Sequence, residues 1–138
     1  MKNLLYSAIL ILALGCQSES LDIQANYRIR LLANPPATTI KLRQGIALPL
    51  ELLTDSYYSE SSYQLQFYQQ SGLGRLSRLV AEEAKPVLQK VPVSLPLGPS
   101  LWQYTPEALG ASQIVLIAQQ ERGYTQPDTI RINFQVVP

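Results

Sequence analysis

Apolar and polar residues alternate with a period of two along much of the chain. The clearest stretch is residues 62–69, Ser-Tyr-Gln-Leu-Gln-Phe-Tyr-Gln. Tyr63, Leu65 and Phe67 fall on one face of an extended strand; Gln64, Gln66 and Tyr68 fall on the other. Residues 129–136 repeat the pattern, so Ile130, Ile132, Phe134 and Val136 are expected in a core, with Arg131, Asn133 and Gln135 outside. Residues 27–31 and 38–43 alternate in the same way. Residues 113–118 are apolar on both parities, which predicts a central strand buried on both faces. Residues 46–53 form a longer apolar run, and Pro49 within it cannot donate a ladder hydrogen bond. That run is expected at a sheet edge or a bulge.

Turn signals punctuate these stretches. Asn34-Pro35-Pro36 and Gln44-Gly45 break the first runs. Residues 55–62 read as a polar loop holding Tyr57 and Tyr58. Ser71-Gly72-Leu73-Gly74 turns the chain, and residues 75–80 would return as the hairpin partner of 62–69. Ala81-Glu82-Glu83-Ala84-Lys85 favours helix, but Pro86 limits it to a loop or a single turn. Residues 86–99 contain four prolines and predict one short strand over 87–93 in an otherwise extended run. Leu101-Trp102-Gln103-Tyr104 is a short strand before Pro106, and residues 121–124 turn into the last strand. About seven short strands with Gly/Pro-rich turns and no long helical pattern after Cys16 predict an all-β sandwich. The 138 residues suffice for one domain.

The N-terminus follows a different pattern. Lys2 gives a short positive start, and residues 4–14 form an apolar run broken only by Ser7. A helix of that length covers about 16 Å, roughly half a bilayer's hydrocarbon core, as suits a signal peptide rather than a span. Ala13-Leu14-Gly15-Cys16 follows and resembles the lipobox of bacterial lipoproteins, with Ala13 where that pattern favours Leu. The alternatives are an ordinary secretory leader cut near Gly15 and a short buried helix. Cys16 is the only cysteine, and a lone cysteine in an exported chain calls for an explanation that acylation supplies. Gln17-Ser18-Glu19-Ser20 reads equally as a solvated tether or as resembling the surface-export signal of Bacteroidetes lipoproteins.

Composition narrows the chemistry. The chain has no histidine. With one cysteine as well, His/Cys zinc sites, internal disulfides and Ser-His-Asp or Cys-His nucleophile arrangements are excluded. Eleven basic and ten acidic residues nearly cancel, and loss of Lys2 with the leader leaves ten of each. That balance offers no field for nucleic acid. Glu82 and Glu83 are adjacent and diverge, so they read as a solvated turn rather than a catalytic pair. Asp55 and Glu60 are too few oxygens for Ca²⁺. Residues 71–75 lack the Lys-Ser/Thr ending of a phosphate loop. Arg28, Arg30, Arg75 and Arg78 suit a solvated sheet face. What remains is aromatic: Tyr57, Tyr58, Trp102, Tyr104 and Tyr124 lie in or near expected loops and short strands, where Tyr and Trp serve as interface anchors.

The order of segments resembles the TraQ-type proteins of Bacteroidetes conjugative transposons. Three stretches carry the resemblance: Leu21-Asp22-Ile23-Gln24 at the start of the mature part, residues 63–76 with their Gly-x-Gly turn, and the closing strand 129–136. It implies an immunoglobulin-like sandwich and a role in the transfer apparatus, with no catalytic residues to carry over. The expected organisation is a leader over 1–15, a lipid-anchored tether over 16–24 and an Ig-like domain over 25–138. The expected function is a non-enzymatic accessory of conjugative transfer, without cofactor or metal, anchored by a lipid on Cys16 in the cell envelope at the outer membrane. Its partners would be other envelope or conjugation proteins, reached through Tyr57, Tyr58, Trp102 and Tyr104. The alternative is a surface lipoprotein that binds a carbohydrate or peptide through the same aromatics.

Overall fold

The computed structural model describes residues 27–55, 61–123 and 125–138. The leader, Cys16, the tether, Tyr57, Tyr58 and Tyr124 lie outside the described residues. Ten strands run through the described part: β1 (Ile29–Ala33), β2 (Thr39–Lys41), β3 (Ile46–Thr54), β4 (Tyr63–Ser71), β5 (Gly74–Val80), β6 (Glu83–Val87), β7 (Val93–Leu95), β8 (Gly98–Pro106), β9 (Gly110–Gln120) and β10 (Asp128–Val137). They form two five-stranded sheets, β1-β3-β8-β5-β6 and β2-β10-β9-β4-β7. Every pairing is antiparallel except that of β2 with β10. The all-β, immunoglobulin-like sandwich expected from the sequence is the fold, with more strands than the apolar runs suggested. Among the described residues no helix is long and apolar enough to cross a membrane.

β1 and β2 are two halves of one strand that changes sheets. The Asn34 amide makes the last rung with β3 by donating to the Pro49 carbonyl at 3.2 Å. Four residues on, the Thr38 carbonyl makes the first rung with β10 by accepting from Gln135 at 2.8 Å. Pro35 and Pro36 lie between and can donate to neither sheet. The same rung accounts for Pro49. β3 lies inside its sheet, between β1 and β8, not at the edge that proline suggested. The Pro49 carbonyl points towards β1, and so does its nitrogen, because both groups of a strand residue face one side. Its missing N–H therefore falls where the β1·β3 ladder ends.

Alternation decides what is buried. Leu48, Leu50 and Leu52 of β3, Tyr63, Leu65 and Phe67 of β4, Ile114, Leu116 and Ala118 of β9, and Ile132, Phe134 and Val136 of β10 meet between the sheets. Ile130 packs, half-buried, at the margin of this core. β9 is central, as its apolar run predicted, although its outer face is only partly covered: Val115 is buried while Ile117 is half-exposed.

Three local expectations are corrected. β4 and β5 do not form a hairpin; Ser71-Gly72-Leu73-Gly74 carries the chain from one sheet to the other, and β5 pairs with β6 and β8. The helix-friendly patch is a tight turn followed by a strand. Ala81 and Glu82 both have positive φ, 50° and 68°, the type I′ geometry that matches strand twist in a two-residue hairpin. The single strand expected over 87–93 is instead the end of β6, a turn, and the short β7.

Candidate functional site

One end of the sandwich gathers the point where the described chain begins and the connections β3–β4 and β9–β10. A chain of polar side chains ties them together. The Tyr63 hydroxyl donates to the Tyr27 hydroxyl at 3.2 Å, and Tyr27 donates to Ser61 Oγ at 3.1 Å. Ser61 also accepts from Gln120 Nε2 at 3.3 Å, and Gln120 Oε1 accepts from Thr125 at 2.7 Å. Backbone bonds reinforce the cluster, from the Glu121 amide to the Ser62 carbonyl and from the Asp55 amide to the Arg28 carbonyl. The Asp55 carboxylate accepts the Arg28 amide at 2.6 Å, so this acid is engaged as a cap.

The two phenols titrate in opposite directions. Burial, then the bond with Tyr27, holds Tyr63 above the ordinary tyrosine value. Burial would also raise Tyr27, but its bonds with Ser61, Tyr63, Thr125 and Gln120 together outweigh it and leave Tyr27 below the ordinary value. The arrangement is a structural clasp. It fixes residues 55 and 61 on either side of Tyr57 and Tyr58, and residues 121 and 125 on either side of Tyr124.

Trp102 and Tyr104 sit elsewhere and do not form a surface. Both are 0 % exposed, which corrects the expectation that they contact a partner. They occupy the inward parity of β8, with Leu101 and Gln103 on the outward one. The Trp102 indole donates to Ser100 Oγ at 2.8 Å, and the Arg78 guanidinium lies 5.7 Å from the ring centroid. Arg78 also donates to the Ser94 carbonyl of β7 at 3.3 Å, joining the margins of the two sheets. The Tyr104 ring stacks on Phe134, with centroids 5.1 Å apart and planes 12° apart.

The Tyr104 hydroxyl closes a buried ring of hydrogen bonds that sequence reasoning missed. It donates to Gln69 Oε1 at 3.1 Å and lies 2.8 Å from Ser112 Oγ, which accepts from Gln69 Nε2 at 2.9 Å. With Tyr104 donating to Gln69, the Ser112 hydroxyl must donate to Tyr104. The second proton of the Gln69 amide goes to the Ser71 carbonyl at 2.7 Å. The available signal was parity: Gln69 and Ser112 are polar residues at inward positions of β4 and β9. On the outside of this region lies a groove of about 440 Å³, lined by Thr38, Ala111, Ser112, Gln113, Asn133 and Gln135 among others. It spans strands distant in sequence, so no local motif announces it.

The remaining candidates of the sequence are dispersed. Arg75 pairs with Glu107 at 2.6 Å on the surface. Glu82 stands in the β5–β6 turn and Glu83 opens β6. Among the described residues no group of three His, Cys, Asp or Glu could hold a metal ion.

Fold and clasp define an immunoglobulin-like domain whose conspicuous features are connections and faces rather than a cluster of reactive groups. The chain belongs to the TraQ conjugal transfer protein family, whose model matches residues 1–91. The expected family is thus borne out, and residues 21–24 and 63–76 lie within the match, whereas the closing stretch 129–136 lies beyond it. Three solved structures are similar in fold. A conjugative transposon lipoprotein from Bacteroides eggerthii superposes with a TM-score of 0.64 at 14 % identity, covering 80 % of this chain and 97 % of that one. A lipoprotein from Bacteroides thetaiotaomicron gives 0.66 at 19 %, covering 85 % and 86 %. A conjugate transposon protein from Bacteroides vulgatus gives 0.65 at 21 %, covering 85 % and 91 %. No curated protein matches the chain.

Proposed function

We propose that this protein is a non-enzymatic, lipid-anchored component of the conjugative transfer apparatus, held at the outer membrane through Cys16 and acting by contact with other envelope proteins. The observation that carries the reading is the TraQ family match, which runs from residue 1 and so includes the leader and Cys16. Two of the similar folds are described as lipoproteins, one of them from a conjugative transposon. A chain without histidine lacks the commonest general base, and its single cysteine is assigned to the anchor. Balanced charge favours a protein partner over a polyanion.

Tyr57 and Tyr58 are the proposed contact. Paired tyrosines bury amphipathic area at low side-chain entropy cost, and the flanking residues Asp55 and Ser61 are both pinned by the clasp. With Trp102 and Tyr104 in the core, this pair stands without them, and a ligand site built on all four aromatics loses half its residues.

Two variants test the reading together. Clickable palmitate should label the wild type and not Cys16→Ser, and label retained by Cys16→Ser would refute the anchor. Replacing Tyr57 and Tyr58 with Ser should preserve folding and labelling while lowering transfer frequency in a mating assay. Unchanged transfer by that double variant would remove the loop from the contact.

A further inference from the structure

The outer faces of the two sheets differ in character. On the second sheet the outward positions of β4, β9 and β10 are rich in amides: Gln64, Gln66, Gln113, Gln119, Asn133 and Gln135. Gln113 bonds Asn133 at 2.6 Å within that face. The second sheet also carries Val115 and Ile117 outward on β9, whereas the first sheet presents an apolar row across four strands. Its register places Pro49 of β3 beside Leu101 of β8. Arg78 pairs with Trp102 and with Lys85, so the next positions, Leu79 and Ala84, extend the row across β5 to β6. Leu48, Leu50 and Trp102 are buried beside Pro49 and Leu101, and Leu76 and Val87 are buried on the opposite parity of β5 and β6, which puts the row outside. Leu53 lies on the same face of β3, beyond Glu51 and beside Arg30, and Leu101 and Leu53 are 45 % and 40 % exposed.

We infer that this face is the interface of a homodimer, with the first sheets of two copies packed against each other. Three observations select a second copy. The first is area. Four spacings of about 4.8 Å and strands of about seven residues give a face of roughly 500 Å² per copy, hence about 1,000 Å² for a pair, the least a specific interface needs. The second is charge. The face is electrically balanced: Arg30 and Glu51 lie on it with opposite signs, and Arg75 is neutralised by Glu107. Two identical faces therefore meet without net repulsion, whereas a strongly charged partner gains nothing there. The third is that edge-to-edge growth of this sheet is obstructed. β6 at one margin carries Pro86, and at the other the Leu31 amide of β1 is taken by the Asp128 carboxylate at 2.7 Å. Face-to-face packing at the usual ~10 Å sheet separation remains open.

The inference does not depend on the anchor or on the transfer role. Two full-length copies carrying different tags are co-expressed, solubilised in mild detergent and recovered through one tag. The second tag should co-purify. Leu101→Arg should reduce its recovery at least tenfold, and Arg131→Glu on the opposite sheet should leave it within twofold, with both variants keeping the wild-type melting temperature. Leu53→Arg serves as the second interface variant should Leu101→Arg lower that temperature. A photo-crosslinker at position 101 should give an adduct of twice the monomer mass that carries both tags. Absence of co-recovery, equal loss in the variants of both faces, or an adduct of another mass overturns the dimer.

Discussion

Tyr104 shows how much one hydroxyl can hold. Its ring fills the core against Phe134, and its oxygen gives the Gln69 carbonyl its donor and the buried Ser112 hydroxyl its acceptor. Gly74 completes the site for steric reasons, since a Cβ there would collide with the Tyr104 hydroxyl. Tyr104→Phe keeps the ring and removes the oxygen, so the buried Ser112 hydroxyl loses its acceptor and the Gln69 carbonyl its donor. Loss of one partner of a buried polar group costs about 1–3 kcal/mol. Arg131→Ala, on the solvent side of β10, should stay within about 0.5 kcal/mol. Urea denaturation of both variants checks this; equal small effects would show that the ring is not part of what holds the sheets together. The parity that buries Trp102 and Tyr104 was visible in Leu101-Trp102-Gln103-Tyr104. The nearby prolines, Pro99 and Pro106, drew attention to loops, yet Pro106 itself continues the buried parity. Proximity to proline was the weaker signal, because β8 runs on to Pro106.

At the scale of elements, β4 and β10 were legible because strict alternation leaves one register that buries the apolar set, and β9 because an apolar run on both parities marks a central strand. The β5–β6 hairpin was not, and the reason lies in two residues. Type I′ turns are announced by Asn-Gly or Asp-Gly, and here the left-handed positions are held by Ala81 and Glu82. Neither residue favours positive φ, and a non-glycine there costs on the order of 1 kcal/mol or more. The strands must impose the turn. Replacing Ala81-Glu82 with Asn-Gly should therefore stabilise the domain by about 1 kcal/mol, seen as a higher urea midpoint at unchanged slope. A lower midpoint would mean that the turn does not have this geometry. The sheet change at Asn34-Pro35-Pro36 was legible as a break but not as a switch. Likewise Gly72 and Gly74 could not say whether β5 folds back on β4 or crosses to the other sheet. Both outcomes use the same local turn chemistry, and pairing with β8 is a long-range choice.

For the whole molecule, strands that alternate in this way bury their apolar faces by stacking one sheet on another. The clasp of Tyr27, Ser61, Tyr63, Gln120 and Thr125 brings the start of the described chain to the same end as the flanks of Tyr57-Tyr58. That juxtaposition is long-range in sequence and was invisible before the fold. The family, in contrast, was within reach of short stretches. The central claim is that this domain serves conjugative transfer. The most direct measurement is transfer frequency in a mating assay from a donor that lacks the gene and any related copy. The account predicts a drop by at least an order of magnitude, restored by the wild-type gene in trans. Transfer at the wild-type frequency from the deleted donor would contradict it.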